Sequence, residues 1–84
     1  MNKSELKLRL DELKINPIDY SLDSTLKPMR TILLCQNFRW YTFEYDEHGN
    51  IQDKKEFLTE SEACEDMLRR LMYLKQWRKK YNIK

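Results

Sequence analysis

The chain has 84 residues, 16 Lys and Arg against 14 Asp and Glu, and an apolar share of 40%. That length holds one domain with a thin core, because so short a chain buries only about 60–65% of the surface it exposes unfolded. Deep catalytic clefts are therefore costly, no run approaches the roughly 20 apolar residues of a membrane span, and the aromatic content excludes a disordered chain.

The N-terminus alternates charge with leucine and has no apolar stretch of signal-peptide type, so the protein is expected to stay in the cytoplasm. Ser4 precedes Leu6, Leu10 and Leu13, widened by Leu8 and Ile15, with charged residues between them. This spacing predicts an amphipathic helix over about residues 4–15. Asn16-Pro17 is expected to end it, since proline disfavours helix in the residue before it. Residues 17–29 are rich in turn formers and read as a long loop, packed on the body through Ile18, Tyr20, Leu22 and Leu26.

Ile32-Leu33-Leu34 marks a buried strand, and Gln36-Asn37 is the expected turn after it. Residues 38–46 carry the strongest strand signal, dense in aromatic residues and Thr. Alternation puts Arg39, Tyr41, Phe43 and Tyr45 on one face and Phe38, Trp40, Thr42 and Glu44 on the other. Glu47-His48-Gly49-Asn50 reads as a hairpin turn, with Gly49 free to take positive φ. Residues 51–57 form a polar strand, exposed or at an edge, where Lys54 and Lys55 discourage edge-to-edge pairing.

Thr59-Glu60-Ser61-Glu62 is a capping box and opens a helix over about residues 60–81. Its stripe runs through Ala63, Met67, Leu71, Leu74, Trp77 or Arg78, and Tyr81, so the tail aromatics are read as core. The expected architecture is a single α+β domain over 1–84. It runs helix, long loop, three-stranded antiparallel meander over about 30–57, and long C-terminal helix, both helices on one sheet face. Cys35 and Cys64 are read as buried free thiols, with a bridge between them left open because sequence does not give their separation.

Chemistry is hard to place. The one histidine, His48, falls in a turn; no metal-ligand spacing is visible, and a single glycine cannot build a phosphate loop. Glu44 and Asp46 share a strand face, where a solvated strand end is the simpler reading. The chain is read as a non-enzyme without cofactor or metal.

Charge is more informative. Residues 44–66 hold Glu44, Asp46, Glu47, Asp53, Glu56, Glu60, Glu62, Glu65 and Asp66 against Lys54 and Lys55. Residues 67–84 hold Arg69, Arg70, Lys75, Arg78, Lys79, Lys80 and Lys84 with no acid. Both blocks match the helix dipole. The acidic block also suits a basic protein partner, such as a nuclease cleft. The basic end, with Trp77 and Tyr81 interleaved, suits RNA or DNA as the alternative.

Tyr20-Ser21-Leu22, the tryptophan strand Arg39-Trp40-Tyr41-Thr42-Phe43-Glu44-Tyr45, the turn Asp46-Glu47-His48-Gly49 and the run Phe57-Leu58-Thr59-Glu60-Ser61-Glu62-Ala63-Cys64 form a recognisable series. Over about residues 18–74 it resembles small bacterial immunity proteins of polymorphic-toxin and contact-dependent growth-inhibition systems. His48 stands where many members carry arginine, which leaves the particular toxin open. The resemblance implies a cytoplasmic protein that blocks the toxic C-terminal domain of a delivered effector, often a nuclease. The expected partner-binding residues are Glu44, Asp46, Glu47, Asp53, Glu56 and Glu62, with Trp40 and Tyr45 as aromatic anchors.

Overall fold

In the computed structural model, which describes residues 1–80, two helices lie on one face of a four-stranded sheet. The strands are β1 (Tyr20–Ser21), β2 (Arg30–Gln36), β3 (Arg39–Tyr45) and β4 (Ile51–Phe57), in that spatial order. The helices are α1 (Lys3–Glu12) and α2 (Glu60–Lys80). The α+β class and the packing of the C-terminal helix on the sheet are as expected from the sequence. Tyr81 and Lys84, expected in the last helix and the basic tail, lie outside the described residues.

The sheet departs from the expected three-stranded antiparallel meander. β2, β3 and β4 form that meander, but β1 joins it in parallel, with Tyr20 opposite Thr31 and Ser21 opposite Ile32. The segment read as loop therefore contains a 3-10 turn, Pro17–Asp19, and an outer strand. Two residues are too few for any periodic signal. The pairing is fixed by long-range contacts, among them the Arg30 guanidinium, which donates to the carbonyls of Pro17 and Tyr20.

α1 begins earlier than the leucine pattern suggests. Asn2, not Ser4, is the N-cap: its side chain accepts from the Glu5 N–H, and the Glu5 carboxylate accepts from the Asn2 N–H. The helix also stops before Asn16-Pro17. Lys14 adopts φ 58°, its N–H donates to the Asp11 carbonyl, and the Ile15 N–H donates to the Leu10 carbonyl. This Schellman arrangement brings Ile15 and Leu10 together in the core.

Register confirms the two strand faces. Leu33 and Thr42 pair on the helix side, next to Cys35 and Trp40. Ile32 and Phe43 pair on the other side and are fully buried there. The β2–β3 turn is one residue later than expected: Asn37 and Phe38 both have positive φ, 53° and 64°. That is the hairpin geometry normally filled by Asn-Gly. Phe38 thus leaves the strand face assigned to it and stands 96% exposed at the tip.

The core joins Leu6, Leu10 and Ile15 from the α1 region, Tyr20 and Leu33 from the sheet, and Ala63, Cys64, Met67 and Leu71 from α2. Cys64 is buried as expected, and burial, with Glu60 nearby, pushes its thiol up to about 11. Cys35 is exposed, which corrects its expected burial; both thiols are free. It sits near the end of β2, where its N–H donates to the Ser24 hydroxyl.

The tail aromatics also depart from the sequence reading. α2 has 21 residues, about 31 Å at 1.5 Å per residue. The seven-residue strands it crosses run only about 23 Å. The helix outruns the sheet, so Trp77 is exposed, while Leu74 and Arg78 stay half-buried; Tyr73, off the stripe, is exposed too.

Candidate functional site: the β4 hairpin and the Arg70 cluster

The residues proposed for partner binding fall into three environments. Glu44 and Asp53 converge on Arg70 of α2. The Arg70 guanidinium donates to Glu44 Oε2 at 2.6 Å, to the Asp53 carbonyl at 2.6 Å and to Asp66 Oδ2 at 2.7 Å. Asp66 also accepts from the Thr42 hydroxyl at 2.6 Å and from Arg69, and Glu44 accepts from the Thr31 hydroxyl at 2.6 Å. Arg70 and Asp66 are both buried. Burial opposes ionisation of Asp66, but the bonds from Thr42, Arg70 and Arg69 outweigh it and hold the carboxyl at about 2.

This cluster explains the β-bulge opposite Phe43. The pairing of β3 with β4 shifts register between Thr42 and Glu44, and Asp53 takes φ 52°. The bulge turns the Asp53 carbonyl toward Arg70 while leaving its side chain 67% exposed. A buried Arg linking a helix to two strands fixes their relative position, since removing either partner strands a charge.

The second environment is the hairpin turn. Asp46 Oδ1 accepts from the backbone N–H groups of His48 and Asn50, and these bonds, Asn50 foremost, lower its pKa. Gly49 takes φ 80°, and a side chain there would meet the Tyr45 hydroxyl at 3.3 Å. Asp46 and Tyr45 therefore build the turn. Glu47 projects from it with its side chain 66% exposed, 3.5 Å from His48.

The third environment is the rim. Glu56 pairs with Arg39 at 3.3 Å on the face away from the helices, where Lys54 lies over the Tyr41 ring. Thr59 caps α2, accepting from the Glu62 N–H as expected, while the Glu62 carboxylate accepts from the Thr59 hydroxyl and not from its backbone N–H. Trp40 is half-buried against the core, with the Lys3 ammonium 5.8 Å from its ring centre. The structure thus brings Glu44 and Asp53 together and places Tyr45, Asp46, Glu47 and Asp53 around one hairpin. Glu62 and Trp40 lie at the other end of the strands.

Sequence reasoning missed Asp66 and Arg70 as partners. The signal was present: the two are spaced i, i+4 with opposite charge and fall beside the stripe of Ala63, Met67 and Leu71. Among the described residues no group of three or more His, Cys, Asp or Glu side chains could hold a metal ion, and no helix is long and apolar enough to cross a membrane. Comparison with known proteins gives no match to any family model, curated protein or solved structure.

Proposed function

We propose that the chain is an immunity-type inhibitor that binds a toxin domain stoichiometrically and neutralises it, with the β4 hairpin as the contact surface. The observation that carries this reading is the exposure of β4: every residue from Ile51 to Glu56 is exposed, and among the described residues no strand pairs with its outer side. Glu47, Asp53 and Glu56 project from this hairpin into solvent, a fixed acidic display that suits a basic cleft. The resemblance of residues 18–74 to immunity proteins supports the same reading.

The fold decides which charges can test it. Reversal of Glu44, Asp46 or Asp53 would disturb the Arg70 cluster or the turn, so lost binding would be ambiguous. Glu47 and Glu56 carry no such role. The double variant Glu47→Lys, Glu56→Lys is expected to fold normally and to bind the cognate toxic domain, sought among the products of neighbouring genes, about tenfold more weakly at low salt, with the difference shrinking at high salt. Co-expression should rescue growth from that domain and yield an equimolar complex on gel filtration. Failure of both would overturn the reading.

A second reading, binding to RNA or DNA through the end of α2, gains from one observation. Tyr73 and Trp77 are exposed along a stretch that also carries Lys75, Lys79 and Lys80. Basic residues with accessible rings suit single-stranded nucleic acid. Absence of filter retention at about 50 mM salt would dismiss it.

A further inference from the structure

A groove runs between α1 and the segment from β1 to β2, with a volume of about 660 Å³. It shares no residue with the β4 hairpin, and its charge is opposite. Lys3, Lys7, Lys27 and Arg30 line it, against a single carboxylate, Asp23. That carboxylate is held within its own loop: it accepts from the Thr25 N–H and the Ser21 hydroxyl, which keep it ionised down to about 2. Only Lys7 has a carboxylate partner, Asp11 at 2.7 Å. Among the described residues, Lys3, Lys27 and Arg30 form no ion pair, so the groove carries uncompensated positive charge.

Its walls are apolar between these cations. Leu8 points away from the core and is 64% exposed, beside half-buried Leu22. This explains why Leu8 falls off the buried stripe of α1, where only Leu6 and Leu10 are buried. Tyr20 and Ser21 also line the groove; both are buried, and the backbone of Tyr20 is engaged, its N–H by the Pro17 carbonyl and its carbonyl by Arg30.

We propose that this groove is a docking site for an acidic segment of a partner protein, with acidic side chains meeting Lys3, Lys27 and Arg30 and an apolar side chain resting on Leu8 and Leu22. Charge complementarity argues for this occupant, because four cations line the groove against one carboxylate. The uncompensated cations select against basic segments. The proposal does not depend on the toxin-binding reading, since neither the charges nor the elements are shared.

The test is fluorescence anisotropy on the full chain with a short labelled peptide in which glutamate and leucine alternate, beside a matched lysine–leucine peptide. Saturable binding of the acidic peptide, absent for the basic one and weakening with salt, is expected. Lys27→Glu and Leu8→Asp change exposed residues outside the core, and together they should weaken binding by about tenfold or more. A circular-dichroism melt keeps unfolding separate from lost affinity, and a variant that fails to fold is replaced by Lys27→Ala alone, with a smaller loss expected. No binding at low salt, or binding untouched by the substitutions, overturns the proposal. Capture of anionic lipid vesicles or an oligonucleotide in place of the peptide, abolished by the same substitutions, overturns the assignment to a protein segment.

Discussion

The interior of the α2–sheet interface and the rim of the molecule break the usual rule of burial in opposite directions. The interior buries charge, Arg70 and Asp66, while the rim exposes rings, Phe38, Tyr73 and Trp77. The charges are buried because partners surround them: every donor position used by Arg70 meets an oxygen from Asp66, Glu44 or Asp53. The rings are exposed because of where the backbone carries them. Phe38 sits in a tight turn, and Trp77 lies where α2 has passed the sheet. A residue's fate is set by what faces it more than by its own polarity.

Breaking the interior should have the largest effect. Arg70→Ala leaves Asp66 buried without its main cation, and is expected to cost about 3–5 kcal/mol in urea unfolding. The two-pronged pair of Arg78 with Asp19, at 2.9 and 3.2 Å with Arg78 half-exposed, should cost less, about 1–2 kcal/mol on Arg78→Ala. Equal losses would remove the distinction.

Acid should act through the same cluster, with a smaller effect. The folded pKa of Asp66 lies below its unfolded value of about 3.9, so its contribution is fully present above pH 4 and is lost as pH falls toward 2. A loss of about 2 kcal/mol is expected across that window. Asp66→Asn should start less stable and show a shallower decline. Matching slopes in the two proteins would place the acid sensitivity elsewhere.

The rim predicts a gain. Phe38→Gly relieves a bulky residue held at positive φ and should stabilise the chain by about 1 kcal/mol, read as a rise in melting temperature. Removal of Trp77 should matter least: Trp77→Ala is expected to cost under about 1 kcal/mol, since 42% of the residue is already exposed. By contrast, Leu71→Ala, in the same helix but fully packed, should cost about 2–4 kcal/mol.

Much of the candidate site was legible before folding was considered. The turn at Gly49, the cap at Thr59 and Glu62, and the exposure of β4 all follow from local chemistry. What the charge map hid was occupancy. Glu44, Asp53 and Glu56 count as acids in a linear tally, yet Arg70 engages the first two and Arg39 the third, so the acidic field rests on Glu47 and the exposed sides of Asp53 and Glu56. The cations of the α1 groove were equally hidden, because Lys3, Lys27 and Arg30 are scattered along the chain and share a groove only once it has folded.

By itself the sequence determined the α+β class, the three antiparallel strands, the faces of β3 and the buried centre of each helix stripe, Leu6 with Leu10 and Ala63 with Met67 and Leu71, because period and capping are local properties of the backbone. Tertiary structure alone decided the parallel β1, the bulge at Asp53, the exposure of Phe38, Cys35 and Trp77, and the meeting of Arg70 with three strand and helix partners. Each of these depends on which residue stands opposite another across long stretches of chain. That is set by closing the sheet beneath the helices, a cooperative outcome that no short window of residues contains.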